Sequence, residues 1–322
     1  MNRFARIRPS YNVISFVIRK LVQGIFMFAA VSAISFALLA NAGGDAFTAL
    51  RDNPQVSDAT IERLRETYGL DKPVTTRYFK WLTSFVTGDM GESIHFKVPV
   101  GGLVLSKLFY TALLGSAALL IAWTIALILA FLNALYKNRT LSRFIELLIL
   151  MTASMPRIAL SLFALAFFVW SSQSAFAVQS GSGISFAISA FVLAVPLIAL
   201  FLAQSNSELT AAMNEDFVKL ARSKGLSEST VIVRHASRAA LNPLLTIFGL
   251  SLGGIIGGTV IVETILGWQG LGAMTVTAIR VRDVPLVMGI VVVTTVAVWL
   301  GNALAEILQM LNDPRLRDEI AS

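Results

Sequence analysis

Few side chains in this sequence belong to the types that usually carry out chemistry. The 322 residues include no cysteine and two histidines, His95 and His235. A chain without cysteine has no thiol nucleophile and no thiolate ligand for a metal ion. The sequence also contains neither the G-x-x-x-x-G-K-[ST] phosphate loop nor the H-E-x-x-H zinc motif. We therefore expect no catalytic residue, no cofactor and no metal site in this chain.

Several ionisable side chains lie instead within long apolar stretches. Arg157 falls near the middle of one stretch, whereas Glu146, Glu263 and Glu306 fall nearer the ends of theirs. A charge at the centre of a bilayer is costly unless it faces protein or a water-filled cavity. Arg157 is expected either to line a translocation pathway and meet an anionic substrate, or to bond carbonyls freed by Pro156 or a neighbouring group. Glu263 is expected to contact substrate or a binding protein, or to bond at a helix end. For Glu146 and Glu306, extension of the side chain to the membrane interface or local pairing is favoured over transport.

The composition is that of a membrane protein. Hydrophobic residues make up 56% of the chain and charged residues 14%, with a mean hydropathy of +0.73, whereas soluble domains contain about 25% charged residues. Six segments are long enough to cross about 30 Å of hydrocarbon at about 1.5 Å per residue. They are approximately residues 14–40, 107–136, 143–171, 184–205, 241–265 and 285–309. The first ends in an A-x-A sequence, as a signal peptide does, but its length favours a retained span. We predict an all-α, polytopic membrane protein with six transmembrane helices in a single domain.

Lysine and arginine residues in the short flanks predict which side of the membrane each loop occupies. The N-terminal flank carries five cations and no acid, and the loop before the third segment carries three cations. These flanks place both termini in the cytoplasm. Residues 1–13 are then a cytoplasmic extension, 41–106 an extracytoplasmic amphipathic segment and 206–240 a cytoplasmic loop. His95 and His235 fall on opposite sides, and the net charge of +7 reflects this bias, not nucleic-acid binding.

The outer segment has the capping signals of two short helices. Ser57 can cap a helix that runs to about Tyr68, with Gly69 suited to the left-handed position after it. Pro73 can open a second helix that ends before Gly88. Both helices are amphipathic, so we expect them to lie on the outer membrane face or to cap the bundle.

The fifth apolar segment contains two glycine rows at four-residue spacing. Gly249, Gly253 and Gly257 form one row, and Gly254 and Gly258 form the other. Such rows let helix backbones approach closely. They predict either packing within one bundle or a face along a second subunit or a translocation pathway, for which Gly253 and Gly257 are candidates.

A polar stretch from Lys219 to Pro243 separates two of the apolar segments. Glu215 to Lys224 has a helical pattern, and Gly225 follows it in a position suited to a left-handed turn. Ser227 can cap a second helix to about Ala240, after which Pro243 can open the fifth span. The stretch therefore predicts a helix–turn–helix that can take a push from a partner. The alternative is a solvated connector.

The wording of this stretch, "EDFVKLARSKGLSESTVIVRHASRAALNPLLT", resembles the EAA loop of ABC transporter permeases, in the variant of the dipeptide, oligopeptide and nickel permeases. The matching residues are Asp216, Val218, Ala221, Arg222, Lys224, Gly225, Leu226, Ser227, Arg234, His235 and Pro243, whereas Leu220 and Ser223 differ from the usual Thr and Ala. Residues 68–93, 154–156, 261–289 and 312–317 also resemble blocks of the B-type subunit of this family. Gln269, Val284 and Arg157 depart from the family pattern, which leaves the substrate class open.

The resemblance implies the type I ABC importer permease fold in a multi-pass protein of the inner (plasma) membrane. Such a subunit forms half of a translocation pathway with a homologous second permease. Two separate ATPases bind the ATP, and an extracytoplasmic binding protein delivers the solute. The resemblance assigns ATPase coupling to Asp216, Phe217, Val218, Leu220, Ala221, Arg222, Lys224, Gly225, Leu226 and His235. Peptides are the expected solute. Nickel or metal chelates, opines and sugars are alternatives, and a secondary transporter is a remote one.

Overall fold

The computed structural model of the chain describes residues 11–42, 47, 57–172 and 182–312. Their regular structure is helical, and one isolated β-bridge joins Glu92 and Pro99. The helices are α1 (Tyr11–Asn41), α2 (Asp58–Thr67), α3 (Val74–Val86), α4 (Val100–Tyr136), α5 (Arg139–Ser154), α6 (Arg157–Ser172), α7 (Gly183–Met213), α8 (Asp216–Ser223), α9 (Glu228–Thr230), α10 (Ser237–Leu266), α11 (Leu271–Arg280) and α12 (Val284–Asn312). A π-helical segment, Val231–Ala236, joins α9 to α10. Most of the predicted extension 1–13, much of 43–56 and the tail block after Asn312 lie outside the described residues.

Four helices in the described part of the chain are individually long and apolar enough to cross a bilayer. They are α1, α4, α7 and α12. Three bent pairs of helices also pass the same test, so the described residues contain between four and seven candidate spans. Helices satisfy their own backbone hydrogen bonds, which hydrocarbon cannot do for them. The predicted all-α, polytopic fold is confirmed, and six spans fall within this range.

The third predicted span, residues 143–171, is divided by a sharp break into two helices. α5 ends at Ser154, α6 begins at Arg157, and the two axes are bent by 95°. The cause is Pro156, which lacks a backbone N–H and disfavours helical geometry in the residue before it. Met155 accordingly has extended geometry, with φ of −85° and ψ of 117°. Arg157 therefore begins a helix instead of lying inside one.

At the predicted boundary between the second loop helix and the fifth span, the structure has a bend in place of a helix end. The chain does not end a helix near Ala240 but continues through the π-helical segment into α10, with Pro243 inside the helix. The axis bends by 54° between Glu228–Leu241 and Pro243–Ile255. Proline within a helix removes one hydrogen bond and kinks the axis, and here it does so without ending the helix.

Residues 1–23, 113–268 and 298–322 contain one compact unit, whose core includes α4, α7 and α10. Ala118, Ala122, Ala126 and Ala130 recur at every fourth position of α4 and are all fully buried. Small residues are typical of buried helix faces in membrane proteins. Most of α7 is buried as well, which explains why its sequence is apolar without a polar face.

Residues 24–112 and 269–297 contain a second compact unit. Its core joins Val100 and Val104 of α4 to Leu271 of α11 and Leu286 of α12. Gly289 is required for this packing, because a Cβ there would lie 2.3 Å from the Cγ1 of Val100. A substitution of Gly289 would force these helices apart.

The two short helices of the 41–106 segment have the predicted caps. Ser57 accepts a hydrogen bond from the first turn of α2, and Gly69 follows that helix with φ of +65°. α2 buries Ile61, whereas the aromatic face of α3 packs on α1 through Trp81 and Phe28, with ring centroids 6.5 Å apart. The prediction of two amphipathic helices is confirmed. Their position relative to the membrane remains a prediction.

A buried carboxylate, Asp283, fastens the start of α12. Its Oδ2 accepts hydrogen bonds from the Ser93 hydroxyl at 2.6 Å and from the His95 backbone N–H at 2.9 Å. Its Oδ1 accepts from the N–H of Leu286 at 3.1 Å, and the residue is 0% exposed. Asp283 therefore caps α12 and holds the 93–95 turn against it.

Replacing Asp283 with alanine is expected to lower the free energy of unfolding by about 2–4 kcal/mol, because buried donors lose their charged acceptor. The matched control is Asp71→Ala, at an exposed aspartate of the same unit, with an expected change within about 0.5 kcal/mol. Thermal unfolding of the detergent-solubilised protein measures both. Equal midpoints for the two variants would contradict the fastening role of Asp283.

Candidate functional site

The predicted helix–turn–helix is present between α7 and α10. α8 begins after Glu215 and ends at Ser223, and Gly225 adopts φ of +75°, in the left-handed region. The Ser227 hydroxyl accepts a hydrogen bond from the N–H of Thr230 and so caps α9. These observations confirm the predicted start of both helices and the glycine turn between them.

α8 has one buried face and one exposed apolar face. Val218 and Ala221 are buried in the same core cluster as Val231 and Ile232 of the π-helical segment. Phe217 and Leu220, which the resemblance also assigned to coupling, are instead 41% and 57% exposed. The remaining assigned residues divide similarly: Asp216, Lys224, Gly225 and Leu226 are exposed, whereas Arg222 and His235 are half-buried. The structure therefore separates residues that anchor α8 from residues that can meet a partner.

An ion pair braces the turn between α8 and α9. Arg222 donates to Glu228 from Nε at 2.7 Å and from Nη2 at 3.3 Å, in a bidentate arrangement. The hydrogen bond from Arg222 holds the pKa of Glu228 below its ordinary value; burial opposes this shift, and the charges of Arg222 and Lys137 add to it. The pair therefore favours the charged form of Glu228 and braces the turn together with Gly225.

The glycine rows of α10 divide into packed and open positions. A Cβ on Gly249 would lie 2.1 Å from the Cβ of Ala305, and one on Gly253 would lie 3.2 Å from the Cγ1 of Val298. These two glycines therefore pack against α12 within the chain. Gly254 and Gly257 are exposed, and a Cβ on either would meet nothing within 4 Å. Of the two predicted pathway glycines, Gly253 is thus engaged in packing and Gly257 faces open space.

The structure brings Arg157 to the fifth glycine of this helix. A Cβ on Gly258 would lie 2.7 Å from the Nη1 of Arg157 and 3.0 Å from its Cζ. The half-buried guanidinium of α6 therefore lies directly against the backbone of α10. The sequence places these residues a hundred positions apart and gives no signal of this contact.

The predicted intramembrane glutamates have different surroundings. Glu263 is fully buried and is not without an interaction partner. Glu306 accepts from the Nζ of Lys20 at 2.6 Å, and the indole of Trp299 donates to the Lys20 carbonyl at 3.1 Å. Local pairing, one of the favoured alternatives for Glu306, is therefore observed. Glu146 is exposed on α5.

Sequence reasoning missed three elements around these sites. Asp283 could have been found, because an aspartate followed by Val-Pro has the pattern of a helix N-cap. The pairing of Arg222 with Glu228 depends on the glycine turn between them, and no helical spacing predicts it. The π-helical segment has no sequence signature, although such turns are frequent at functional sites.

The spans, the buried small-residue faces and the helix–turn–helix define the chain as a polytopic subunit of a membrane transport system. Residues 95–318 match the family described as the inner membrane component of binding-protein-dependent transport systems, and residues 13–108 match its N-terminal family. The chain belongs to this family, and it is a permease subunit of an ABC importer in the inner membrane.

Two relatives are similar over nearly the full length of both chains. The oligopeptide transport system permease protein AppB of Bacillus subtilis is 31% identical over 313 residues, which cover 94% of this chain and 99% of AppB. The glutathione transport system permease protein GsiC of Shigella flexneri is 25% identical over 305 residues, which cover 95% of this chain and 99% of GsiC.

Substitutions of Gly225 are expected to impair transport in the order of their backbone strain. Gly225→Val places a β-branched residue at φ of +75°, at a cost of about 1–2 kcal/mol or more, whereas Gly225→Asn tolerates this region better. A Cβ at this position meets no neighbour within 4 Å, so clash does not contribute. We expect lost ATP-driven uptake for the valine variant, with normal membrane insertion, and near-normal uptake for asparagine. Normal uptake by Gly225→Val would contradict the coupling role.

The charge pair is tested by exchanging its members. Arg222→Glu is expected to reduce ATP-driven uptake a few-fold, because an exposed pair contributes about 0.5–1 kcal/mol and the variant adds repulsion. The double variant Arg222→Glu/Glu228→Arg should restore uptake, and failure to do so would identify Arg222 as a direct partner contact. Since the pKa of Glu228 is lowered in the folded state, the brace is present above the ordinary glutamate pKa. It is lost only as pH falls through the lowered value.

Proposed function

We propose that this permease imports peptides and that the force of ATP hydrolysis enters it through α8. The observation that carries the proposal is the exposed apolar face formed by Phe217 and Leu220 on a helix anchored from behind by Val218 and Ala221. Exposed aromatic and leucine side chains on a short rigid helix suit insertion into a groove of a partner. Membership of the family supports an ATPase as this partner.

The peptide assignment is supported by the relatives. The names of AppB and GsiC refer to transport of oligopeptides and of glutathione, which is itself a peptide. Both relatives match this chain over more than nine-tenths of its length, including the apolar spans. We propose the same class of solute for this permease, which supplies half of the pathway.

The proposed assembly contains this chain, a homologous second permease, two ATPases and an extracytoplasmic binding protein. ATP is bound by the ATPases and not by this chain. The charge pattern of the flanks supports cytoplasmic termini, a cytoplasmic loop at 206–240 and an extracytoplasmic segment at 41–106. The described part of α8 then lies where a cytoplasmic ATPase can reach it.

The proposed movement follows the packing of the loop. A push on α8 passes through Val218 and Ala221 into the π-helical segment, which continues into α10. The brace between Arg222 and Glu228 keeps the turn from absorbing this displacement. The bend at Pro243 is a site where α10 can change its angle, so closure of the ATPases alternates access to the pathway.

Leu220 provides the direct test of this coupling. Leu220→Asp is expected to lower the affinity of the ATPase for the permease by about tenfold or more, because a charge replaces an apolar contact. Leu220→Met keeps the apolar surface and is the matched control. Co-purification from membranes and ATP-driven peptide uptake into proteoliposomes measure the two effects.

Leu220 is more than half exposed, so neither variant is expected to unfold α8. Wild-type binding and uptake by Leu220→Asp would refute docking through this face. Reduced uptake with unchanged ATPase binding would place the role of Leu220 elsewhere.

A further inference from the structure

Arg157 occupies an unusual place for a charged residue. It is the first residue of α6, directly after the 95° break at Met155 and Pro156, within a bent pair of helices apolar enough to cross the membrane. Its side chain is half-buried. A charged residue in such a segment is retained only where protein or a polar cavity compensates for lost hydration.

The described residues supply no ionic or hydrogen-bonding compensation for this guanidinium. Its neighbour Ser161 donates to the Arg157 backbone carbonyl, not to the side chain. Among the described residues, the Arg157 guanidinium donates none of the hydrogen bonds expected to carbonyls freed by Pro156. The N-terminus of α6 carries a partial positive charge at the same place. Two positive features therefore meet without an anion, which favours an anionic ligand at this position.

The side chain nevertheless lies directly against the backbone of α10. Because Gly258 has no side chain, the guanidinium can occupy the space beside its Cα. A Cβ there would lie 2.7 Å from Nη1 and 3.0 Å from Cζ. The other glycines of the two rows have different roles, since Gly249 and Gly253 pack on α12 and Gly254 and Gly257 meet open space. Among these five described glycines, Gly258 is the one that accommodates a charge.

We propose that Gly258 is a positioning residue that seats Arg157, and that the guanidinium so held binds the C-terminal carboxylate of the peptide during translocation. This inference rests on the proposed import of peptides. A guanidinium and a carboxylate form two parallel hydrogen bonds in one plane, and this geometry requires a fixed orientation of the arginine. The space beside Gly258 favours that orientation, and no side chain at this position competes with the carboxylate for the guanidinium.

The test uses the complete complex of both permeases, the ATPases and the binding protein in phosphatidylcholine proteoliposomes. The probes are tri-L-alanine and its C-terminal amide. Arg157→Gln and Gly258→Ala are each expected to lower uptake of tri-L-alanine by about tenfold, as for a lost charged hydrogen bond. Gly254→Ala, one turn away on the same helix and facing open space, is expected to match the wild type. Uptake of the amide should change little in every variant.

Two further readouts separate this role from a structural one. ATP hydrolysis stimulated by the binding protein should persist in Arg157→Gln, because α8 is unchanged. Gly258→Ala should cause no additional loss in the Arg157→Gln background, because the group that it displaces is gone. Multiplicative losses, lost hydrolysis, or equal losses for the acid and the amide would each overturn the proposal.

Two outcomes need their own arms. If the binding protein rejects the amide, Arg157→Lys decides, since reduced uptake of tri-L-alanine supports the contact through two parallel hydrogen bonds and wild-type uptake refutes it. If the effect of Arg157 appears only when anionic phosphatidylglycerol is added, the ligand is a lipid and the carboxylate proposal fails.

The contact of Gly258 with Arg157 can be tested even if the proposed import of peptides is wrong. In that case the wild-type complex takes up no tri-L-alanine, and the proposed function fails by itself. Thermal unfolding still reads the contact, because Gly258→Ala should lower the midpoint with Arg157 present and leave it unchanged in Arg157→Gln. An equal shift in both backgrounds would overturn the seat.

Discussion

The fold depends on the requirement that every backbone N–H and C=O in hydrocarbon finds a partner inside the protein. The 37 residues of α4 and the 31 residues of α7 meet it as long helices, even though α7 contains Pro196. Within the described residues, the candidate spans depart from a straight helix at Pro156, at Pro243 and between Leu266 and Leu271. Arg157 follows the first departure, and the π-helical segment of the coupling loop precedes the second. The irregular backbone and the candidate functional residues therefore coincide, because such irregularity persists in a membrane only where surrounding protein supports it.

The continuity from α9 to α10 changes how force can travel through the subunit. A loop helix that ended near Ala240 would pass a displacement to the fifth span through a flexible joint. The observed path has no helix end at that point, since the π-helical segment continues from α9 into α10 and the axis bends at Pro243. The buried Val231 and Ile232 also belong to the main core, together with Val218 of α8. A helical segment packed into the core transmits a displacement that an exposed connector would absorb, because packed interiors have low compressibility.

Sequence reasoning predicted the features that depend on local backbone chemistry. The caps at Ser57 and Ser227 and the left-handed turn at Gly225 follow from side-chain oxygens and missing Cβ atoms, which act within a few residues. The same local reasoning does not predict whether a proline ends a helix, bends it or lies within it. The residue type permits a helix end at Pro156, a bend at Pro243 and inclusion in α7, and tertiary packing decides among them. Contacts distant in sequence, such as that of Gly258 with Arg157, have no local signature at all.

The charged side chains discussed above differ in what compensates for their lost hydration. Lys20 and Glu306 neutralise each other, and Arg222 and Glu228 do the same at the loop. Such pairs hold structural elements together, and their charges are already neutralised within the protein. Arg157 is compensated within the described residues by shape alone, since the backbone of α10 gives it space but no charge. A guanidinium that lies in a defined place without an anionic partner can bind a solute carboxylate and then release it. A permanently paired arginine would have to lose one partner to gain another, and a solute that is to be released cannot repay that loss.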